Sequence, residues 1–285
     1  MAKIVQKIIG RLKKRKVKAV AKPVYIPLME GRLLENRTVF VAGASGGIGL
    51  AICEACLRNN AKVILAGRDV KKLNEKKEQL AEGRPEYNGK ISVCELSLEG
   101  RYEEGLKNTL LGLSEVKIDA LVNCIGMSRG DAFRYTEAED FDAVMQTNIK
   151  STYLISQVFA NYFIENSIEG NILNISSVSG IRPANTPYMI SKWGMNGLTK
   201  GMAKQLIKYG IVVNGIAPGP TATEMLRLDG SNLSYEGAPA KRFTAPAEVG
   251  NLAVFLLSDM ARMIVGETIA ISGGCGNLTY DDIPY

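Results

Sequence analysis

A phenol and an ammonium stand one helical turn apart at Tyr188 and Lys192, in the stretch Tyr-Met-Ile-Ser-Lys. Residues at i and i+4 share a helix face, and Pro187 suits a first helical turn. A free phenol has a pKa of about 10, too high for efficient proton exchange near neutrality. A neighbouring ammonium favours the phenolate and lowers that value. Tyr188 in such a setting can give a proton to a carbonyl oxygen or take one from an alcohol. The spacing alone is common, and a packed aromatic would explain it as well. The upstream run Asn174-Ile-Ser-Ser-Val-Ser179 adds hydroxyls at the carboxyl end of a strand, where they can bond and orient a reacting oxygen.

A second constellation lies far upstream. After the apolar run Val39–Ala42 come Gly43, Ser45, Gly46, Gly47, Ile48 and Gly49, a glycine-rich turn between a strand and a helix. Gly43 allows the tight turn, Gly47 lets phosphates approach the backbone, and Gly49 lets the helix pack closely on the sheet. Free amides at the helix start then face a pyrophosphate. The end of the next strand reads Gly67-Arg68-Asp69. An acidic residue at its tip would hold the adenosine ribose hydroxyls. Arg68 instead can pair with a 2′-phosphate through a charge-assisted fork, and Ser45 can add a hydroxyl. Asp69 reads as the cap of the following helix. NADP is therefore the expected cofactor, ahead of NAD.

The rest of the composition narrows the chemistry. No histidine occurs, which excludes Ser-His-Asp hydrolysis, Cys-His proteolysis and His-ligated metals; no metal site is expected. Five cysteines (53, 56, 94, 124, 275) sit in apolar segments and read as buried, reduced thiols of a cytoplasmic chain. No apolar run is long enough to span a bilayer. The net charge of +6 is concentrated at one end. Residues 1–22 carry nine Lys or Arg and no acid, leaving 26 basic against 29 acidic residues elsewhere. That mildly acidic body suggests no nucleic-acid groove.

Strand-like and helix-like runs alternate from residue 38. Seven candidate strands are Thr38–Ala42, Lys62–Ala66, Ile91–Glu95, Asp119–Cys124, Asn171–Ser176, Ile211–Ile216 and Glu267–Ser272. Their near-continuous Val, Ile, Leu and Ala content fits strands buried on both faces. Between them lie helices such as Asp69–Glu82 and Phe141–Glu165. The alternation predicts an α/β chain with one doubly wound parallel sheet of about seven strands. Residues 224–244 lack periodicity and read as a functional lid. The organisation is a basic N-terminal extension (1–35), a catalytic domain (36–277) and a C-terminal tail (278–285).

With these motifs in order, the chain resembles the short-chain dehydrogenase/reductase family, over about residues 36–277. The likeness rests on Ala42–Gly49, Asn123-Cys-Ile-Gly126, Asn148, Ser176-Ser177, Tyr188-x-x-x-Lys192 and Pro218-Gly219. It implies a Rossmann fold and a role for each matching residue. Tyr188 is then the acid/base, and Lys192 its partner and a ribose contact. Ser177 orients substrate, and Asn148 holds a relay water. Asn123 and Gly126 line the adenosine ribose, and Glu95-Leu96 the adenine. Pro218, Thr221 and Thr223 clasp the nicotinamide end and the phosphates. Ala42, Cys124 and Glu95 depart from the usual residues, and Ser177 and Tyr188 lie 11 apart where 12 or 13 is commoner, which bears on the substrate pocket's shape.

The expected activity is NADP(H)-dependent interconversion of a carbonyl and an alcohol in a homotetramer or homodimer. The leading substrate is a 3-oxoacyl thioester on acyl carrier protein, with Lys200, Lys204 and Lys208 as a basic dock. A sugar or other polar ketone is the near rival. A nucleotide-sensing or scaffolding protein is the alternative of another class, although such proteins lose the Tyr or the Lys. On a helix, Ile4, Val5, Ile8, Ile9 and Leu12 would oppose Lys3, Lys7, Arg11 and Lys14. That pattern suits an interfacial helix on anionic lipid at the inner membrane face. A solvated or loosely docked tail is the leading reading of residues 1–22, with that membrane-surface contact and a contact to a partner protein or acidic polymer as the alternatives.

Overall fold

The computed structural model describes residues 31–96, 116–223 and 233–279. Seven strands form its sheet: β1 (Thr38–Ala42), β2 (Lys62–Gly67), β3 (Ile91–Glu95), β4 (Ala120–Asn123), β5 (Asn171–Ile175), β6 (Val212–Pro218) and β7 (Thr268–Ile271). All neighbours are parallel, in the order β3-β2-β1-β4-β5-β6-β7. Every expected strand is present: β1 and β3 have the expected ends, and no other end has moved by more than two residues. The order reverses beside β1, so a crevice opens at the carboxyl ends of β1 and β4, where α/β sheets bind ligands.

Among the described residues six helices flank the sheet: α1 (Gly47–Arg58), α2 (Val70–Ala81), α3 (Ala138–Met145), α4 (Ser151–Glu165), α5 (Pro187–Leu206) and α6 (Pro246–Leu257). Side chains alternate across each strand. Val39 and Val41 pack on one side with Ile52, Cys53 and Val254 of α1 and α6. Phe40 and Leu121 pack on the other with Ile155, Phe159 and Phe163 of α4. Phe40 and Phe159 lie 4.8 Å apart between ring centroids, a spacing that suits offset aromatic packing.

The helix expected over Phe141–Glu165 starts earlier, at Ala138, and is interrupted by a π turn over Gln146–Lys150. A π turn disturbs the i→i−4 ladder, and the downstream hydroxyls bond the carbonyls there. Ser151 Oγ donates to Gln146 O at 2.9 Å and Thr147 O at 2.7 Å. Thr152 Oγ1 donates to Asn148 O at 2.9 Å. Such turns occur often at functional sites, and this one holds Asn148.

The body reaches further toward the N-terminus than position 36. Leu34 is fully buried in the α1–α6 layer, and its amide donates to Asn59 O at the end of α1. The leader itself, residues 1–22, lies outside the described residues. Part of the expected lid, 224–232, does so too. Its remainder folds back through a Ser234–Arg242 bridge. Arg242 there grips Glu248 of α6 with two bonds of 2.8 and 2.7 Å. At the C-terminal end, Gly276 N donates to Thr279 O. No helix among the described residues is long and apolar enough to cross a membrane.

Candidate active site

The glycine turn leaves β1 and enters α1 under tight constraint. Gly43 has φ +89°, and a Cβ there would stand 2.8 Å from the backbone carbonyl of Cys124. A Cβ on Gly47 would stand 2.9 Å from Thr223 Cγ2. The chain can therefore approach itself and a ligand only without side chains at these positions. Gly46 caps α1 in an extended conformation and offers no side chain, so the first amides of the helix face outward as an anion cradle. The first turn contains no acid to oppose an anion.

This turn is one wall of a cavity of about 560 Å³. Gly43, Ser45, Gly46, Gly47, Ile48 and Gly49 line it, together with Arg68, Leu96, Gly126, Tyr188, Lys192 and Thr223. Motifs 145 residues apart in sequence thus converge, because both sit at the carboxyl edge of the sheet. Arg68 is exposed on the cavity wall. Asp69 is an N-cap: its carboxylate accepts from Lys72 N at 2.9 Å. Glu95 is exposed at the end of β3 and does not line the cavity, whereas Leu96 does and is buried.

Tyr188 and Lys192 occupy the start of α5, which Thr186 caps by accepting from Met189 N at 3.2 Å, with Pro187 in the first turn. Lys192 is only 4% exposed. Its Nζ donates to Ile175 O at 2.9 Å and lies 5.6 Å from the Tyr188 ring centroid. Burial pushes its pKa from the ordinary 10.5 down to about 8, so the ammonium form still prevails at neutral pH. A methyl on Gly126 would lie 3.6 Å from that Nζ and 3.8 Å from Asn148 Oδ1. Glycine here keeps the floor of the cavity open.

Other expected site residues take supporting places. Asn148 is fully buried in the π turn, its side chain bonded to Met127 N and O and to Ser191 Oγ. Ser177 lies two residues beyond β5 as the cap of a short turn, accepting from Ser179 N at 3.1 Å; the adjacent Ser176 lines the cavity and Ser177 does not. Asn123 donates from its side chain to Ser156 Oγ and to Asn174 Oδ1, both at 2.9 Å. Those bonds tie β4 to β5 and α4, and its side chain is not among the cavity's lining groups. Pro218 is buried at the end of β6, and Thr221 Oγ1 donates to Gly219 O at 2.9 Å to brace the turn. Thr223 alone of these three faces the cavity.

Sequence reasoning did not single out Met127, Gln146, Thr147 and Ser151 as cavity residues, nor Ser191 as the partner of Asn148. Met127 follows the Asn123–Gly126 motif directly and Ser191 precedes Lys192, so both were marked by adjacency. No disulfide joins any of the five cysteines, all of which lie among the described residues. Burial raises Cys56 and Cys124 to about 12 and Cys94 to about 11. Thiols in that state are poor nucleophiles. No group of three potential metal ligands occurs among the described residues.

Comparison with known proteins agrees with this geometry. A family model described as Enoyl-(Acyl carrier protein) reductase matches residues 43–276. The 3-oxoacyl-acyl-carrier-protein reductase FabG of Thermotoga maritima is 34% identical, over 85% of this chain and 98% of that protein. A 3alpha-hydroxysteroid dehydrogenase of Mediterraneibacter gnavus is 33% identical, over 85% and 97%. The solved gluconate 5-dehydrogenase of Burkholderia cenocepacia, in complex with NADP and tartrate, superposes with TM-score 0.74 at 27% identity, covering 85% and 96%. The chain belongs to the short-chain dehydrogenase/reductase family and is an NAD(P)-dependent oxidoreductase acting on CH–OH groups.

Proposed function

We propose that this protein reduces a ketone or aldehyde with NADPH, Tyr188 supplying the proton, and runs the reverse reaction on the alcohol. The observation that carries this reading is the convergence of the glycine cradle, Tyr188 and Lys192 on one cavity. The first amides of α1, reached through a turn whose Gly43 and Gly47 leave no room for side chains, fit a pyrophosphate. A bound nicotinamide supplies the hydride. Tyr188 donates its phenolic proton to the carbonyl oxygen as negative charge grows there. Lys192, held by Ile175 O, presents a buried ammonium beside the phenol and favours the phenolate that remains. Ser177 accepts a hydrogen bond from Ser179 N, which leaves its own hydroxyl to donate one to the same oxygen.

NADP is favoured over NAD by Arg68. It lies on the cavity wall and has no hydrogen bond or ion pair among the described residues, while the neighbouring Asp69 carboxylate is occupied as a cap. The leading substrate is a 3-oxoacyl thioester, in line with the Thermotoga relative. Lys200 and Lys204 are exposed on α5, 12 and 16 residues beyond Tyr188. At about 1.5 Å per residue that is roughly 18–24 Å, so an acidic carrier docked there would need an arm of that reach. A polar ketone is the second reading, favoured by the superposition on the gluconate 5-dehydrogenase. An NADPH-oxidation screen over acyl thioesters, sugar ketones, steroids and small diketones separates the two. Preference for acetoacetyl thioesters supports the first, and preference for keto-sugars replaces it with the second.

The same proposal takes the enzyme to be a homodimer or homotetramer. It also takes the leader to meet an anionic membrane surface. Sedimentation equilibrium tests the first, and vesicle binding the second.

A further inference from the structure

Ser191 lies three residues after Tyr188, fully buried. Its Oγ donates to Tyr188 O at 2.7 Å and accepts from Asn148 Nδ2 at 2.9 Å. Asn148 completes its side-chain bonding on the loop after β4: Oδ1 accepts from Met127 N at 2.8 Å, and Nδ2 donates to Met127 O at 2.9 Å. The carbonyl and both amide protons of Asn148 are thereby used. A serine bonding a carbonyl of the preceding turn is ordinary in helices and would by itself do nothing. Here the same oxygen also accepts a hydrogen bond from a buried amide on another element. That amide is pinned to the residue after Gly126, at the cavity wall.

We propose that Ser191 is a positioning residue for Tyr188. It clamps the first turn of α5 to the π turn and, through Asn148, to the backbone of Met127. The chain Met127–Asn148–Ser191–Tyr188 fixes the phenol against the cavity wall that receives the substrate. The inference rests on the reading of Tyr188 as the acid/base. Misplacing a reacting group by about 1 Å can cost on the order of a hundredfold in rate, so loss of the clamp appears in kcat before it appears in cofactor binding.

Three variants of the full-length protein test it: Ser191→Ala, which removes the oxygen; Ser191→Cys, which fills the space with a weak hydrogen-bonding group; and Ser191→Thr, which keeps the hydroxyl. Using the substrate found in the screen, kcat should fall roughly ten- to a hundredfold in Ala and Cys. The NADPH Kd should stay within about threefold, and Thr should recover most of the rate. Equal rates in Cys and Thr, or kcat and NADPH binding lost together, would overturn the proposal. Should Ala not fold, the Cys and Thr pair still decides. Trp193, the single tryptophan, sits on the same helix and donates to Arg182 O at 2.6 Å. If the wild type oxidises NADPH with no carbonyl tried, the functional reading fails separately. Ser191 is then judged on Trp193 emission. A shift in Cys that is absent in Thr sustains the clamp, and no shift in either removes it.

Discussion

Two charged residues carry the residue-scale account, and each is open to measurement. Lys192 titrates at about 8 in the folded protein against 10.5 ordinarily, because burial disfavours its charge. Between those values the unfolded chain binds more protons, so native stability rises with pH across that window and is lowest below pH 8. The shift is worth about 3 kcal/mol. Lys192→Met should therefore be most stable relative to the native protein near pH 7, and its advantage should shrink as pH rises from 8 to 10.5. Denaturant titrations of the cofactor-free proteins across that range check this, and a constant difference would mean the lysine titrates normally. Arg68→Ala should lose a charge-assisted pair with the 2′-phosphate, costing about 1.5–3 kcal/mol, or roughly ten- to a hundredfold in the ratio of kcat/KM for NADPH over NADH. An unchanged ratio would make Arg68 a surface charge. Tyr188 and Lys192 were legible in the sequence because their relation is local, four residues on one helix. The side chain of Asn123 was less so, because its direction depends on strand parity. It shares a face of β4 with Leu121, which packs in the α4 layer, and so points there. Counting by twos from Leu121 would have placed it.

At the scale of elements, the strands could be read because a sheet covered on both faces demands continuous apolar runs. The π turn could not, since nothing in the apolar period of 138–165 marks an extra residue. The hydroxyls of Ser151 and Thr152 that bond its carbonyls are the one signal, and such hydroxyls also occur in plain helices. The glycine turn was legible in type, and the structure adds why substitution fails. Gly43→Ala would force a Cβ toward the Cys124 carbonyl in a backbone conformation that L-residues rarely adopt. Strain of that kind costs on the order of 1–3 kcal/mol. The variant should melt several degrees lower and bind NADPH at least tenfold more weakly, by thermal unfolding and fluorescence titration. Unchanged melting and binding together would show that the turn tolerates a side chain.

Over the whole molecule, the cavity opens at the carboxyl ends of the strands, while Gly31–Leu34 lie at the opposite edge. Gly31 N donates to Arg58 O and Leu34 N to Asn59 O, at the end of α1. Each basic side chain near an anionic membrane surface is worth about 1 kcal/mol and is weakened by salt. If the leader binds such a surface, full-length protein should sediment with anionic vesicles at low salt, and a variant starting at Gly31, which keeps the buried Leu34, should not. Equal behaviour of the two would leave the leader a solvated tail or a protein contact. The central claim, that a proton from Tyr188 accompanies hydride transfer, is tested most directly by Tyr188→Phe, assayed for NADPH oxidation and NADPH affinity together. The account predicts turnover reduced more than a hundredfold, a loss typical of removing a general acid, with affinity within a few-fold. A variant keeping more than about a tenth of the native rate would contradict it, since general acid catalysis contributes at least about a hundredfold.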